Sequence, residues 1–309
     1  MADRVRPQVS IGLPLHQGSP HLRETVESLL GQSWRDFELV IVDASASPAV
    51  AEECRRLATL DARLRYCRRP GLHEPAEAYN LVFRRARGRY FRWTTCSEVY
   101  AADFLRQCVA ALQRHGDAVL CYLRAKLIDR EGKFVSHYHP KVDVRSLDPA
   151  VRFVSALRAG QPVCHTLGLV RSVALAQTGL VRRCPGAGRM LLAELALHGG
   201  FHPVPEYLLY ARQGERPPAR PARDRRDPLR GEKAASGGVG LRAVLALARS
   251  LLGTPLSART RLACFRGLLG VRTQGQRARV GARSGGPGAE RSARGGAAVR
   301  RGRAGVQRT

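Results

Sequence analysis

Short apolar segments alternate with amphipathic ones through the first third of the chain, and this alternation restricts the folds that are open to it. The apolar segments, each the length of a buried strand, cover residues 9–15, 37–43, 64–67 and 90–94. Apolar side chains at helical spacing fill the intervals, over residues 20–32, 50–57 and 76–86. Strands that alternate with helices build βαβ units, so we predict an α/β fold with a mostly parallel central sheet flanked by helices.

The remainder of the chain is less regular, and its composition divides it into parts. A globular domain is predicted over residues 1–211, with further strands at 118–123 and 203–210 and a helix at 189–198. Beyond it we predict a Pro/Arg/Gly-rich linker at 212–238, a helical extension at 239–272 and a disordered Arg/Gly-rich tail at 273–309.

The net charge of the chain is +27, and residues 212–309 account for +18 of it. One explanation of this excess is attraction of the C-terminal part to an anionic membrane or to nucleic acid. The other is that a GC-rich genome encodes many arginines in a tail that is not under selection. Because no aromatic residue follows Phe265, base stacking is excluded and we expect no specific nucleic-acid partner. The two C-terminal helices have only arginine as charge, so they either pack on the globular domain or lie on anionic lipid.

The eight cysteines form no C-x-x-C pair, and several occupy apolar positions of predicted strands and helices. Residues 1–8 are polar, unlike a signal peptide, and no apolar run reaches the length of a membrane span. We therefore predict a cytoplasmic protein with free thiols, either free in the cytoplasm or peripheral at the inner face of the membrane.

Polar residues follow two of the predicted strands. Asp43 ends the second strand, and the loop Thr95–Glu98 follows the fourth. In parallel sheets ligands bind outside the carboxyl ends of the strands, so these residues are expected to line one cleft.

Several segments match one family in order: Val9–Pro14, Leu22–Asp43, Asp61–Tyr66, Asn80, Ala86–Tyr90 and Tyr100–Leu105. Through them, residues 9–211 resemble a family 2 glycosyltransferase with a GT-A domain, the fold of nucleotide-diphospho-sugar transferases. The resemblance implies transfer of a sugar from a nucleotide-sugar donor to a glycan or lipid-linked acceptor, in the synthesis of surface polysaccharide or a similar glycan. Leu191–Leu197 and Leu256–Cys264 are similar to one bacterial subgroup of the family, and this similarity implies that the two C-terminal helices belong to that subgroup's architecture too.

The resemblance also implies a donor site. Asp43 stands where the family has its nucleotide-binding acid, although it could instead cap the turn or helix that follows it. Donor contacts are implied for the residues around it and along the cleft, namely Pro14, His16, Ser45, Asn80, Thr95 and Ser97. His16 could equally be a loop residue that faces solvent.

The family's metal-binding loop departs from its pattern in this chain. Thr95 and Ser97 occupy the two positions where the wider family has acids, and Glu98 is the one acid left in the loop. The family implies Mg²⁺ or Mn²⁺, and a loop with one carboxylate predicts an ion that is weakly held by Glu98 or absent. The alternative is that Glu98 caps the helix that begins near Phe104.

The catalytic base departs from the pattern as well, because Gly188 stands at the position of the family's acid. Two hypotheses follow. Either basic side chains replace the cation, with Arg92, Lys126 and Arg189 as candidates, and another carboxylate serves as base. Or the domain is catalytically degenerate and acts as a binding or scaffolding module.

Overall fold

The structure is a computed structural model that describes residues 6–140, 144–158, 167–213 and 240–284. The strands are β1 (Val9–Leu15), β2 (Phe37–Asp43), β3 (Leu64–Arg68), β4 (Tyr90–Trp93), β5 (Glu98–Tyr100), β6 (Ala118–Ile128), β7 (Phe134–Tyr138), β8 (Leu167–Arg171) and β9 (Gly200–Arg212). The helices are α1 (Leu22–Leu30), α2 (Pro48–Leu60), α3 (Pro75–Arg85), α4 (Phe104–Arg114), α5 (Pro149–Arg158), α6 (Ser172–Ala176), α7 (Ala187–His198), α8 (Leu241–Gly253) and α9 (Ala258–Ser284).

Most of the predicted linker at 212–238, and the tail from residue 285 onward, lie outside the described residues. The backbone of residues 273–284 continues α9, whereas the sequence predicts disorder from 273. Arginine, glutamine and alanine recur in this stretch, and all three favour helix. In the described ranges, no helix is both long enough and apolar enough to cross a membrane.

The sheet confirms the α/β prediction. Its strand order is β3-β2-β1-β4-β8-β6-β9-β5, with β7 paired to β6. β3, β2, β1 and β4 are parallel to one another, and antiparallel pairing begins between β4 and β8. Apolar side chains of β1 and β2 are fully buried between the two layers of helices, as a central parallel strand requires.

The direction of the strands decides which loops lie together. β1, β2, β3 and β4 all end at one edge of the sheet, which we call the carboxyl edge. β6 and β9 run in the same direction as β1, because β8 is antiparallel to both β4 and β6. α7 leads into β9 through Gly199, which lies against Asp117 and Val119 at the start of β6, at the opposite edge. Because α7 also packs against β6, we infer that the helix runs back along the sheet and that its first turn lies toward the carboxyl edge.

At the opposite edge of the sheet, a buried carboxylate links several strands through hydrogen bonds. Glu38 is 3 % exposed and accepts hydrogen bonds from the Ser10 hydroxyl, from the Arg65 side chain, and from the backbone and side chain of Arg87. Burial by itself raises the pKa of Glu38, but these hydrogen bonds outweigh it and lower the pKa below its usual value. The cluster joins β1, β2, β3 and the turn before β4.

Gly88 lies in that turn, directly against β1. Its N–H donates to the Ser10 hydroxyl at 2.8 Å. A Cβ added at Gly88 would come within 2.5 Å of the backbone nitrogen of Ser10 and 2.7 Å of the carbonyl carbon of Val9. These are backbone atoms of a central strand and cannot move aside, so this position requires glycine.

We therefore expect Gly88→Ala to lower the free energy of unfolding by about 1–3 kcal/mol through overpacking. Gly116→Ala is the matched control, because an added Cβ there meets nothing within 4 Å. Chemical denaturation followed by circular dichroism measures both variants. Equal stability of the two would contradict the close packing of the turn on β1.

Candidate functional site

Asp43 is fully buried at the end of β2, on the carboxyl edge. One carboxylate oxygen accepts hydrogen bonds from the Ser45 N–H at 2.9 Å and the Ser45 hydroxyl at 2.6 Å. The other accepts the Tyr66 hydroxyl at 2.7 Å. The following helix, α2, is capped by Ser47 rather than by Asp43. Asp43 thus closes a turn at the edge where ligands bind.

Tyr66 and Arg68 belong to this site, although the sequence analysis did not select them. β3 runs beside β2 in parallel register, with Tyr66 opposite Ile41 and Arg68 opposite Asp43. Because side chains alternate along a strand, Tyr66 and Arg68 lie on the same face as Asp43. This alternation is the signal that could have identified them from the sequence.

Tyr66 and Arg68 differ in whether their polar atoms have hydrogen-bond partners. Burial, together with the Asp43 carboxylate, raises the pKa of Tyr66, so the phenol stays protonated as a donor. The Nε of Arg68 is buried and has no hydrogen-bond partner among the described residues. A buried donor without a partner is unfavourable, and an anionic or carbonyl group of a ligand would satisfy it.

Pro14 and His16 lie at the end of β1, next to this cluster. Pro14 is opposite Val42 in the sheet, and Leu15 is opposite Asp43. The N–H of Ala44 donates to the carbonyl of Leu15 at 2.7 Å, which ties the two strand ends together. Pro14, His16, Asp43 and Ser45 therefore share one end of the β1–β2 pair.

Glu98 lies in β5, not at the start of a helix, and it is 2 % exposed. Its carboxylate forms an ion pair with the guanidinium of Arg92 at 3.0 Å and accepts hydrogen bonds from Tyr100 and Thr94. Burial by itself lowers the pKa of Arg92, but the neighbouring Tyr100 and Glu98 raise it by more. The net pKa is raised, so Arg92 stays charged. Arg92 is itself fully buried and also contacts the Tyr100 and Phe104 rings.

The loop between β4 and β5 does not fit a divalent cation. The hydroxyls of Thr95 and Ser97 are 3.0 Å apart and hydrogen-bonded to each other, and the Glu98 carboxylate neutralises Arg92. Mg²⁺ and Mn²⁺ are held by several oxygens that include carboxylates, and this loop offers two neutral hydroxyls. The described ranges contain no cluster of three or more His, Cys, Asp or Glu that could hold a metal.

Asn80 holds a backbone segment beside the cleft. Its amide nitrogen donates to the carbonyl of Val181 at 2.9 Å, and its amide oxygen accepts the N–H of Val181 at 3.0 Å. This pair of bonds fixes the segment that leads into α7 against α3. Asn80 therefore anchors the segment that precedes α7.

The first turn of α7 contains the position of the family's base. α7 begins at Ala187, two residues before the predicted start, so Gly188 is its second residue. Arg189 follows; its Nε is buried without a partner among the described residues, and burial lowers the pKa of Arg189. Gly186, with φ of 79°, supplies the left-handed turn before the helix.

The remaining candidates lie elsewhere. Glu194 is 1 % exposed on α7 and accepts hydrogen bonds from the Gly179 N–H, the Arg182 guanidinium and the Ser250 hydroxyl, so it joins α7 to α8. Lys126 lies on β6 with its ammonium over the ring of Tyr210, at 5.6 Å from the centroid. Neither is among the groups clustered around Asp43.

The geometry agrees with the family comparison. Residues 10–172, just over half of the chain, match the family model described as "Glycosyl transferase family 2". The protein therefore belongs to the family 2 glycosyltransferases.

Two curated relatives illustrate the reach of the likeness. An uncharacterized glycosyltransferase of Rickettsia bellii is 25 % identical over 135 residues, which are 43 % of this chain and 19 % of that protein. The O-antigen biosynthesis protein RfbC of Myxococcus xanthus is 27 % identical over 220 residues, 68 % of this chain and 16 % of that protein. The chain thus spans less than a fifth of the length of these relatives.

Solved structures confirm the GT-A fold. Residues 1–349 of TarS from S. aureus superpose with a TM-score of 0.60 at 14 % identity, covering 88 % of this chain and 73 % of that one. TarS 1–349 in complex with UDP-GlcNAc gives a TM-score of 0.56 at 15 % identity, covering 85 % of this chain and 71 % of that one. At such identity the likeness establishes the fold alone.

The buried pair predicts a structural role for Glu98. Glu98→Gln leaves Arg92 buried without a compensating charge, and we expect a loss of about 3–5 kcal/mol in the free energy of unfolding. Glu52→Gln is the control: its partner Arg55 is exposed, and such pairs contribute at most about 1 kcal/mol. Denaturation curves that shift equally for both variants would contradict this role.

Proposed function

We propose that this domain transfers a sugar from a nucleotide-sugar donor to a hydroxyl of a glycan or lipid-linked acceptor, in the synthesis of surface polysaccharide or a related glycan. The observation that supports it best is Asp43: a fully buried carboxylate at a parallel strand end, inside the segment that matches the family model. The name of one relative, an O-antigen biosynthesis protein, is consistent with this class of product.

The donor's nucleoside is proposed to bind at the β1–β2–β3 strand ends. An ionised carboxylate offers about four acceptor sites, and Ser45 and Tyr66 use three of those of Asp43. The remaining capacity fits an N–H or O–H of a nucleoside. Arg68 lies opposite Asp43 in the sheet, and its Nε has no hydrogen-bond partner among the described residues. A base carbonyl or a phosphate oxygen of the donor would accept a hydrogen bond from it.

The donor's diphosphate is proposed to be neutralised by protein groups in place of a cation. The first turn of α7 lies at the carboxyl edge, contains no acid, and presents backbone N–H groups and the positive end of the helix dipole. Arg189 adds a guanidinium whose Nε has no partner in the described ranges. Arg92, the other arginine near the loop, is neutralised by its ion pair with Glu98 and does not contribute a free positive charge to the diphosphate.

The transfer itself makes one bond and breaks one. The acceptor oxygen bonds to the anomeric carbon of the sugar. The bond from that carbon to the phosphate oxygen breaks, and its electron pair leaves with the nucleoside diphosphate. The acceptor's proton is released to the solvent, since Gly188 supplies no carboxylate at the family's base position. Stabilising the leaving diphosphate is then the main contribution of the site.

Donor binding tests this proposal. We expect UDP-, GDP- or TDP-sugars to raise the thermal unfolding temperature of the full chain, with UDP-GlcNAc as the first probe. A ligand at 100 times its dissociation constant adds about 2.7 kcal/mol. Asp43→Asn removes the charged acceptor and should weaken binding by about ten- to hundredfold. Asp117→Asn, at the opposite edge of the sheet, is the control.

Each variant is compared with its own ligand-free unfolding temperature, so a general loss of stability does not mimic lost binding. Tyr66→Phe is a second variant for the same binding measurement, because it removes one hydrogen-bond donor to Asp43 and leaves the aromatic ring in place. If no nucleotide sugar shifts the wild-type protein, the transferase proposal fails and the domain is a degenerate binding module.

The cation is tested separately. We expect the donor-induced shift to be the same in EDTA and in Mn²⁺, because the loop has no carboxylate free of Arg92. Arg189→Gln should reduce the shift, whereas Arg183→Gln should not, because Arg183 is exposed and paired with Glu77. A shift that requires Mn²⁺ would refute neutralisation by protein groups.

The place of action is part of the proposal. We propose that the protein works in the cytoplasm in peripheral contact with the inner face of the membrane, where a lipid-linked acceptor would lie.

A further inference from the structure

We propose that the outer side of the two C-terminal helices is a docking surface for an anionic lipid bilayer. We call this surface the basic apolar face. It consists of exposed leucines and arginines of α8 and α9: Leu241, Arg242, Leu245, Arg249, Leu252, Arg259, Leu262, Arg266 and Leu269.

α8 has two apolar sides, and only one of them faces the protein. Ala243, Val244, Leu247 and Leu251 are buried. Leu241, Leu245 and Leu252 are 58 %, 54 % and 65 % exposed. Their spacing of four and seven residues places these three leucines on one stripe of the helix. A helix that only packed on its own domain would have polar residues on this stripe.

α9 repeats the arrangement. Cys264, Leu268 and Val271 are buried, while Leu262 and Leu269, seven residues apart, are 51 % and 53 % exposed. The two helices follow each other through a short connection, and they contact each other. Five half-exposed leucines thus lie on two helices that contact each other, and a group of exposed apolar side chains is unusual on a surface that faces only water.

The charge on these helices has one sign. Residues 240–271 contain five arginines and neither lysine, aspartate nor glutamate. Arg261 caps α8, donating to the carbonyls of Leu251 and Thr254. The other four are exposed, and in the part of the chain that the structure describes none of them is paired with an acid.

Several exposed arginines on the other helices are paired with an acid. Arg55 and Arg56 on α2 and Arg106 on α4 each pair with an acid three residues earlier. Arg84 of α3, Arg114 of α4 and Arg158 of α5 are exposed without an acid partner, so single unpaired arginines occur elsewhere on the described helices. What distinguishes α8 and α9 is that four such arginines lie together on two helices that contact each other. Unbalanced arginines beside exposed leucines match a bilayer surface, where phosphates meet the guanidinium groups and acyl chains meet the leucines.

The basic apolar face is held firmly by the opposite sides of the same helices. Glu194 of α7 accepts a hydrogen bond from Ser250 of α8. α9 crosses α5 closely at Gly267, where an added Cβ would be 2.2 Å from a methyl of Val154. These contacts and the buried leucines attach α8 and α9 to the rest of the protein. The exposed leucines are therefore not needed for that attachment.

Charge decides between a bilayer and a second copy of the chain. Two copies that met through this face would bring arginines against arginines, and like-charge contacts are unfavourable. Nucleic acid would satisfy the arginines but not the leucines. A bilayer satisfies both. The inference rests on and deepens the proposed place of action at the membrane. It stands apart from the proposed transfer of a sugar, since it involves neither the donor nor the carboxyl edge.

Vesicle co-sedimentation of the full chain tests the surface. We expect binding to vesicles of phosphatidylcholine with phosphatidylglycerol, weakening with salt, and little binding to phosphatidylcholine alone. Leu245→Gln with Leu252→Gln should weaken partitioning about tenfold, because two leucines no longer enter the apolar layer. Leu60→Gln, at a leucine that is 68 % exposed on α2, is the matched control and should change nothing.

A second pair of variants tests the charge. Arg242→Gln with Arg249→Gln should weaken binding to the anionic vesicles and reduce its salt dependence, whereas Arg55→Gln should not. All variants keep residues 285–309, so binding through the basic tail alone would be unaffected by the leucine pair. Unfolding temperatures confirm that the surface substitutions leave the fold intact.

Three results would overturn the proposal. Wild-type protein could fail to bind the anionic vesicles, or the leucine pair could leave binding unchanged. Sedimentation velocity without lipid could show a dimer that the leucine pair dissolves, which would assign the face to a second copy instead. None of these results depends on whether a nucleotide sugar binds, so the two proposals fail separately.

Discussion

The buried ion pair between Arg92 and Glu98 is the interaction on which the middle of this structure depends. It joins β4, in the parallel half of the sheet, to β5, which pairs with β9 in the other half. Two buried charges are tolerable only when each is neutralised and hydrogen-bonded, and Tyr100 and Thr94 complete that requirement. The same pair removes the loop's acid from any role in holding a cation.

The two edges of the sheet carry polar groups with different surroundings. At one edge, Glu38 receives hydrogen bonds from three residues and Gly88 packs against β1 without space for a side chain. At the carboxyl edge, Arg68 and Arg189 have buried Nε atoms without partners in the described ranges. Buried polar atoms without a partner in the described part of the chain also occur at the first edge, on Trp34, Arg63, Arg85 and Tyr90. Those of Arg68 and Arg189 differ in lying next to Asp43 and in the first turn of α7, where the proposed donor would meet them.

Sequence reasoning recovered the elements that have strong periodicity. The strands at 9–15 and 37–43 agree with β1 and β2 to the residue, since buried parallel strands are continuous apolar runs. β5 was missed because three residues are too short to show a period, and Glu98 was therefore assigned to a loop or to a helix start. α5 and β8 were also missed, in the half of the chain where local patterns are weakest.

Among the site residues, the sequence by itself determined Asp43 and its place at a strand end, because the pattern of strands and helices requires it. It also determined that the metal loop lacks its acids. Only the tertiary structure decided what Glu98, Asn80 and Arg92 do, since their partners lie in other elements or across a turn. Likewise, the sequence showed two arginine-bearing apolar helices. Which leucines pack and which face outward depends on where α5 and α7 lie, and this follows from long-range packing that no local pattern encodes.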